Sequence, residues 1–302
     1  MAGRRSPLIE LVACGKATLG EGPIWDSRDE RLLWVDIIGG VINVLAPATS
    51  HSRQVEVGEH VGCIALTTQP NALLGALRSG WYWIDVDTGA KQLIAASPAE
   101  ADCRFNDGAV DRAGRFWVGT LEYAETRPVG ELYLLAPDLS YRSADRGFLC
   151  SNGITWSTDR RWLFFVDSRN DAIYRYRFDD EEGRLEDRSL YVDTTDLPGV
   201  PDGIEMDSED TLWCAFWDGA QIVGFDGSGE VRETIAVPAL RPTSMTFGGP
   251  DLTTMFITTA AFGLSKRELD EWPASGSVFE LDRPTPGLPA NVFAGEPWAE
   301  PR

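Results

Sequence analysis

Hydrophobic residues recur along this chain in short runs rich in Trp, Phe, Ile and Val and bounded by Gly, Pro, Asp or Ser. Examples are Arg31-Leu-Leu-Trp-Val-Asp36, Arg115-Phe-Trp-Val-Gly119, Arg161-Trp-Leu-Phe-Phe-Val-Asp167 and Thr211-Leu-Trp-Cys-Ala-Phe216. Such runs fit buried β-strands, and almost nowhere does a helical apolar period last long enough to compete. The exception is Leu264 to Trp272, where Ser265 followed by Glu268 predicts a short capped helix. The expected class is all-β.

The runs are ordered as a repeat. In four places a carboxylate or carboxamide precedes a glycine that opens an apolar strand: Glu21-Gly22, Asp107-Gly108, Asn152-Gly153 and Asp202-Gly203. Further strands follow each pair in the same order, and weaker copies start at Gly62 and Ser244. Anchors at 22, 62, 108, 153, 203 and 244 lie roughly 40 to 50 residues apart, the length of a four-stranded propeller blade. The pattern predicts a six-bladed β-propeller occupying residues 1–302 as a single domain. The spare segment Leu8-Ile-Glu-Leu-Val12 is expected to complete the last blade beside Val278 to Leu281.

Composition narrows the function. Trp34, Trp117, Trp156 and Trp213 are assigned to the wedges between blades, where large rings fill space. A formal charge of −20 opposes nucleic acid and anionic lipid as partners, although it also serves solubility. With no signal-peptide core and no run of transmembrane length, a soluble cytoplasmic protein is expected. Cys14, Cys63, Cys103, Cys150 and Cys214 are odd in number and lack Cys-x-x-Cys spacing, which favours reduced thiols over disulfides or a thiolate metal site. His51 and His60 alone give little support to a His-based zinc site or a Ser-His-Asp triad. His60 is either a loop histidine or a residue that reaches the pocket from the second blade.

In a propeller the innermost strand of each blade begins at one rim of the central channel. The residues just before the anchors, Glu21, Val61, Asp107, Asn152, Asp202 and Thr243, should therefore face one another. One Asp-Gly pair alone is ordinary turn chemistry, but four at one phase of a repeat point to a shared site. Three buried carboxylates aimed at one axis need a cation or raised pKa values. Oxygen donors without sulfur or imidazole suit a hard divalent cation such as Ca²⁺, Mg²⁺ or Mn²⁺ at one end of the channel.

The segments Gly20-Glu-Gly-Pro-Ile-Trp25, Arg104-Phe-Asn-Asp-Gly108, Ser151-Asn-Gly-Ile-Thr-Trp156 and Pro201-Asp-Gly-Ile-Glu-Met-Asp207 resemble the SMP-30/gluconolactonase/luciferin-regenerating-enzyme family, which includes regucalcin-like sugar lactonases. The resemblance implies that Glu21, Asn152 and Asp202 hold one divalent cation, Ca²⁺ first, with Zn²⁺, Mn²⁺, Mg²⁺ or Fe²⁺ as alternatives. It implies Arg104 and Asn106 as substrate contacts, with Asp107 close to the ion, and Glu122 as the acidic substrate contact of the third blade at a spacing that departs from the family pattern. The implied reaction is metal-dependent hydrolysis of an aldonolactone to the aldonic acid, with Asp202 as base as well as ligand. A small sugar lactone is then the expected partner, and the loops Leu121 to Val129 and Ala261 to Ser275 set selectivity. A phosphotriesterase or aryl-esterase on the same fold is one alternative, distinguished by an aromatic-lined mouth. A calcium-binding propeller without turnover is the other.

Overall fold

The computed structural model, which describes residues 9–13 and 16–297, arranges the repeat as a six-bladed β-propeller. Five sheets have four strands and one has five. The innermost strands are Gly20–Asp26, Val61–Thr67, Cys103–Val110, Ser151–Trp156, Val200–Met206 and Pro242–Gly248, each in contact with the inner strands on either side. All six carry one extra residue against the next strand of their blade. Glu21 to Ile24 lies opposite Val35 to Leu33, and the same break falls at Val61/Cys63, Phe105/Gly108, Ser151/Ile154, Pro201/Ile204 and Pro242/Ser244. A bulge of this kind turns neighbouring side chains away from strict alternation. The residues expected just ahead of the strands thus lie inside them, at the bulge.

At Gly62 and Gly153 the repeated glycine has a packing cause, whereas at Gly22 a positive φ of 51° is what favours glycine. A Cβ on Gly153 would sit 2.6 Å from Ile204 N and 2.8 Å from Asp202 O, both on the adjacent inner strand. One on Gly62 would lie 2.6 Å from the carbonyl oxygens of Phe105 and Asn106. Only a residue without a side chain lets these backbones approach so closely.

Both chain ends fasten the ring. Glu10–Ala13 pairs antiparallel with Val278–Asp282, Glu10 opposite Glu280 and Leu11 opposite Phe279, so the N-terminal strand completes the sixth blade as expected. Leu8 and Cys14 lie outside the described residues. A feature absent from the sequence reading is a strap at the other end of the chain. It leaves the last blade, bridges Gly287 to Asp207 and ends in Val292–Phe293, which pairs parallel with Leu66 and Thr67 on the channel side of the second blade. Asn291 Nδ2 donates to Val110 O at 2.9 Å and Ala294 N to Gly114 O at 3.0 Å, which holds the strap against the third blade.

The core lies between blades. Trp81 packs on Phe105 at 4.6 Å between ring centroids, and Trp25 stacks on Phe256 at 5.6 Å. Trp34, Trp117 and Trp213 are buried, whereas Trp156 is half-buried, edge-on to Trp117. The expected helix forms at Lys266–Glu271 with Ser265 and Glu268 in a reciprocal capping box. The four described cysteines are buried free thiols. Among the described residues no helix is long and apolar enough to cross a membrane.

The close approach of inner strands leads to a direct test. Gly153→Ala should destabilise the fold by about 1–3 kcal/mol or more, because the obstructing atoms are backbone and cannot swing aside. Denaturant unfolding with an unchanged midpoint would contradict this packing account.

Candidate metal centre and active site

Two buried aspartates set the entry to the strands that carry Glu21 and Asn152. Asp36 accepts the N–H groups of Thr18 at 2.7 Å and Leu19 at 3.0 Å, and Asp167 accepts those of Leu149 at 3.2 Å and Cys150 at 2.9 Å. Each stands at the end of the second strand of its blade, so one carboxylate per blade fixes the backbone immediately before the bulge.

At the bulge the structure gathers Glu21, Asn152 and Asp202, all buried, with Asp107 near them. Asn152 is the best-held member. Its Oδ1 accepts from Asn106 Nδ2 at 2.7 Å and its Nδ2 donates to Ser168 Oγ at 2.9 Å, which presents the amide oxygen in one orientation. Gly22 N donates to Glu21 Oε2 at 3.1 Å and Gly108 N to Asp107 Oδ1 at 2.7 Å. Asp202 Oδ1 is buried and has no hydrogen-bond partner among the described residues. Val61 and Thr243 complete the ring, Val61 as an apolar wall and Thr243 with its hydroxyl donated to Gly20 O at 2.6 Å.

The buried carboxylates act on one another electrostatically. Burial, followed by the Asp107 charge, pushes Glu21 from its ordinary 4.5 up to about 8. Burial pushes Asp107 from 3.8 to about 6. Burial and then the charges of Glu21 and Asp107 drive Asp202 well above the carboxylate range. A buried oxygen without a donor, beside carboxylates that resist ionising, is the environment expected where a cation supplies the missing charge. The donor set of two carboxylates and one amide oxygen fits a hard divalent ion.

Arg104 and Asn106 reach the same region, but their hydrogen bonds divide the work. Arg104 Nη1 donates to Asn106 Oδ1 at 2.5 Å and to Phe105 O at 3.1 Å, while Nε and Nη2 make no hydrogen bond among the described residues. Asn106 is engaged at both ends, since Nδ2 also donates to Ser151 O at 2.9 Å. It therefore orients Arg104 and Asn152 and has little capacity left for a ligand.

Glu122, the acidic substrate contact implied by the resemblance, has both carboxylate oxygens engaged by its own loop. Its Oε2 accepts from Thr126 N and Arg127 N, each at 3.0 Å, and its Oε1 accepts from Arg127 Nε at 2.5 Å. The Arg127 hydrogen bond is the largest cause holding its pKa down at about 2. Both oxygens are thus engaged in shaping the turn that presents Glu125. Glu125 has a positive φ of 51° and pairs with Arg169 at 2.5 Å, and its charge contributes to raising Asp202. Sequence reasoning missed Glu125, because the loop spacing that separates it from Glu122 depends on this turn. His60 Nδ1 lies 3.1 Å from the hydroxyl of Tyr123 in the same loop as Glu122 and Glu125.

A second acidic group, Glu100, Asp102 and Cys103, does not compete as a metal site, because the Arg127 guanidinium already bonds both carboxylates. On the far side of the carboxylate layer lies a cavity of about 270 Å³ between Asp107, Glu205 and the strap residues Leu288 to Asn291. Burial, followed by the charge of Asp107, raises Glu205 there to about 7.

Comparison with known proteins identifies the family and the fold. The family described as SMP-30/Gluconolactonase/LRE-like region matches residues 19–261. A 6-deoxy-6-sulfogluconolactonase of Pseudomonas putida is 36% identical over 95% of this chain and 99% of its own. A pentonolactonase of Haloferax volcanii is 33% identical over 90% of this chain and 93% of its own. The crystal structure of a calcium-binding regucalcin from Agrobacterium tumefaciens shares the fold with a TM-score of 0.91 at 24% identity, covering 95% of this chain and 97% of that one.

The raised carboxyls carry a pH signature. Glu21 and Asp107 hold protons to higher pH in the folded protein than in the unfolded chain, so the folded state binds more protons between their ordinary values and about 8 and about 6. The stability they contribute is therefore full at low pH and is lost as pH rises through those folded values. Chelator-treated protein should show a melting temperature that falls from about pH 5 to about pH 8, and a bound divalent cation should flatten that slope. Identical profiles with and without the ion would remove these carboxylates from the metal centre.

Proposed function

The chain belongs to the SMP-30/gluconolactonase/LRE-like family, and on that premise we propose that it hydrolyses a sugar lactone to the corresponding aldonic acid. The observation that carries the reading is the partnerless, buried Asp202 Oδ1 beside Glu21 and Asn152 at a polar channel mouth. Glu21, Asn152 and Asp202 would hold one divalent cation, Ca²⁺ first, which when bound polarises the lactone carbonyl and offsets the oxyanion charge.

The remaining chemistry belongs to the chain. Arg104 offers Nε and Nη2 to the substrate's hydroxyl oxygens, and its Nη1 bonds to Asn106 fix the guanidinium plane. Glu125, steered by Arg169, accepts from hydroxyls on the opposite side of the mouth. Asp202 takes the proton of the attacking water as the new C–O bond forms, through the carboxylate oxygen not turned to the ion. The ring C–O bond then breaks, and that proton passes to the departing ring oxygen, giving the open acid. No covalent nucleophile is needed. Beside the exposed Tyr123 ring, the charged side chains Arg104, Glu125 and Arg169 stand around the centre, and these hydrogen-bonding groups support a polyhydroxylated lactone over an aryl ester.

A pH-indicator screen of aldonolactones on chelator-stripped protein, with Ca²⁺, Mg²⁺, Mn²⁺, Zn²⁺ and Fe²⁺ restored separately, tests the reading. Metal-stimulated ring opening is expected. Absence of hydrolysis with every ion, alongside tight cation binding, would leave a calcium-binding propeller instead. Asp202→Asn, compared at saturating metal, should retain a turnover deficit of about 10²- to 10⁴-fold, the usual contribution of a positioned base. Near-full recovery would limit Asp202 to holding the ion.

A further inference from the structure

We propose that the rim beside this centre contains a site for an anionic group carried by the substrate, built from Arg78, Arg104 and His60 around the ring of Tyr123. The proposal rests on the lactonase reading and narrows it to sugar-acid lactones bearing a second, anionic substituent.

The residues come from two blades. His60 precedes the inner strand of the second blade, and Arg78 follows its neighbour Ala72–Leu77, with Arg78 N donating to His60 O at 2.9 Å. Arg104 lies on the inner strand of the third blade, and Tyr123 follows its strand Phe116–Glu122. The guanidinium carbons of Arg78 and Arg104 lie 5.8 Å and 5.9 Å from the Tyr123 ring centroid, and the His60 ring meets it edge-on at 5.9 Å. Two cations thus share one aromatic ring.

Neither has a carboxylate within ion-pair distance among the described residues, which is unusual for this rim. Arg127 is bonded to Glu122, Arg169 to Glu125 and Arg241 to Asp218. With 47 Asp and Glu against 27 Lys and Arg, carboxylates are plentiful, yet the charges of Glu125 and Glu21 act on Arg104 only from beyond ion-pair distance, so neither arginine is directly neutralised. The nearby Glu59 is already held by Lys91 Nζ at 2.7 Å and Ser79 N at 2.9 Å. Arg104 is only 8% exposed, so its charge is largely removed from water. An anion bound between the two guanidinium groups would offset their repulsion and use the fork geometry that suits carboxylate, sulfonate or phosphate oxygens.

Position gives the direction of the substrate. The Arg104 charge reaches Glu21 from a buried position, whereas Arg78, against the same Tyr123 ring, is exposed. With the lactone carbonyl at the metal centre and the ring against Arg104, the anion belongs on the carbon chain remote from the carbonyl. Tyr123, 40% exposed, forms the wall along which that chain lies.

The test uses full-length, metal-loaded protein with three lactones: gluconolactone, its counterpart phosphorylated on the terminal carbon, and the monolactone of glucaric acid. Wild type should favour at least one charged lactone by about 10-fold or more in kcat/KM, and Arg78→Gln should reduce that preference by about 10- to 100-fold, mainly through KM. Arg78→Lys should restore part of it. The carboxylate and phosphate substrates separate the two anion shapes. Equal kcat/KM for neutral and charged lactones, or a preference that survives Arg78→Gln, would overturn the proposal while leaving the lactonase reading in place. Calorimetry with gluconate and its terminal phosphate gives the converse separation. Charge-selective binding lost in Arg78→Gln, with no lactone hydrolysed, would keep the anion site and overturn the lactonase reading.

Discussion

Two of the six inner strands, those of the second and fourth blades, approach the next strand so closely that each gives up a side chain to its backbone. At Gly62 and Gly153 the space for a Cβ is taken by main-chain atoms of the adjacent strand. That steric demand, together with one extra residue at the same height in every inner strand, turns the preceding residues toward the channel. The convergence of Glu21, Asn152 and Asp202 is thus tied to the way the ring closes. A change that relaxed the glycine contacts would move the oxygen donors as well.

Such convergence is electrostatically unfavourable by itself. Burial and mutual repulsion raise Glu21, Asp107 and Asp202 together, and what holds them in place is neutral or remote. Asp36 and Asp167 anchor the backbone ahead of two of the strands, and Asn106 links Arg104 to Asn152 through its amide. Charge repulsion at the axis is therefore balanced by hydrogen bonds in the next layer outward. This division lets an unfavourable cluster persist in a stable fold.

Much of this was legible in the chain. The blade period, the closing strand near Val12 and the capped helix at Ser265 rest on local patterns, and local patterns survive folding with little change. The oxygen-rich phase of the repeat was equally visible at Glu21, Asn152 and Asp202. What could not be read depends on geometry that no spacing encodes. The bulge looks like a strand start in sequence, because a single extra residue leaves the apolar pattern intact. Glu122 and Glu125 are indistinguishable until the turn between them is known, and only the fold shows that Arg127 engages the first while the second, paired with Arg169, adds its charge to the surroundings of Asp202. The strap was invisible because its final strand is two residues long and pairs parallel across the ring.

That strap changes how the molecule can come apart. In an open array of repeats the terminal units have one neighbour and fray first. Here the first described strand completes the last blade, and Val292–Phe293 lies on the second, with Phe293 fully buried among residues of the second and third blades. The ring is latched at two places by opposite ends of the chain. The first blade lies between those latches, so it cannot be released without freeing one of them. Unfolding should therefore be collective, and amide protons of the inner strands should exchange at rates set by whole-molecule opening rather than by the loss of a single blade.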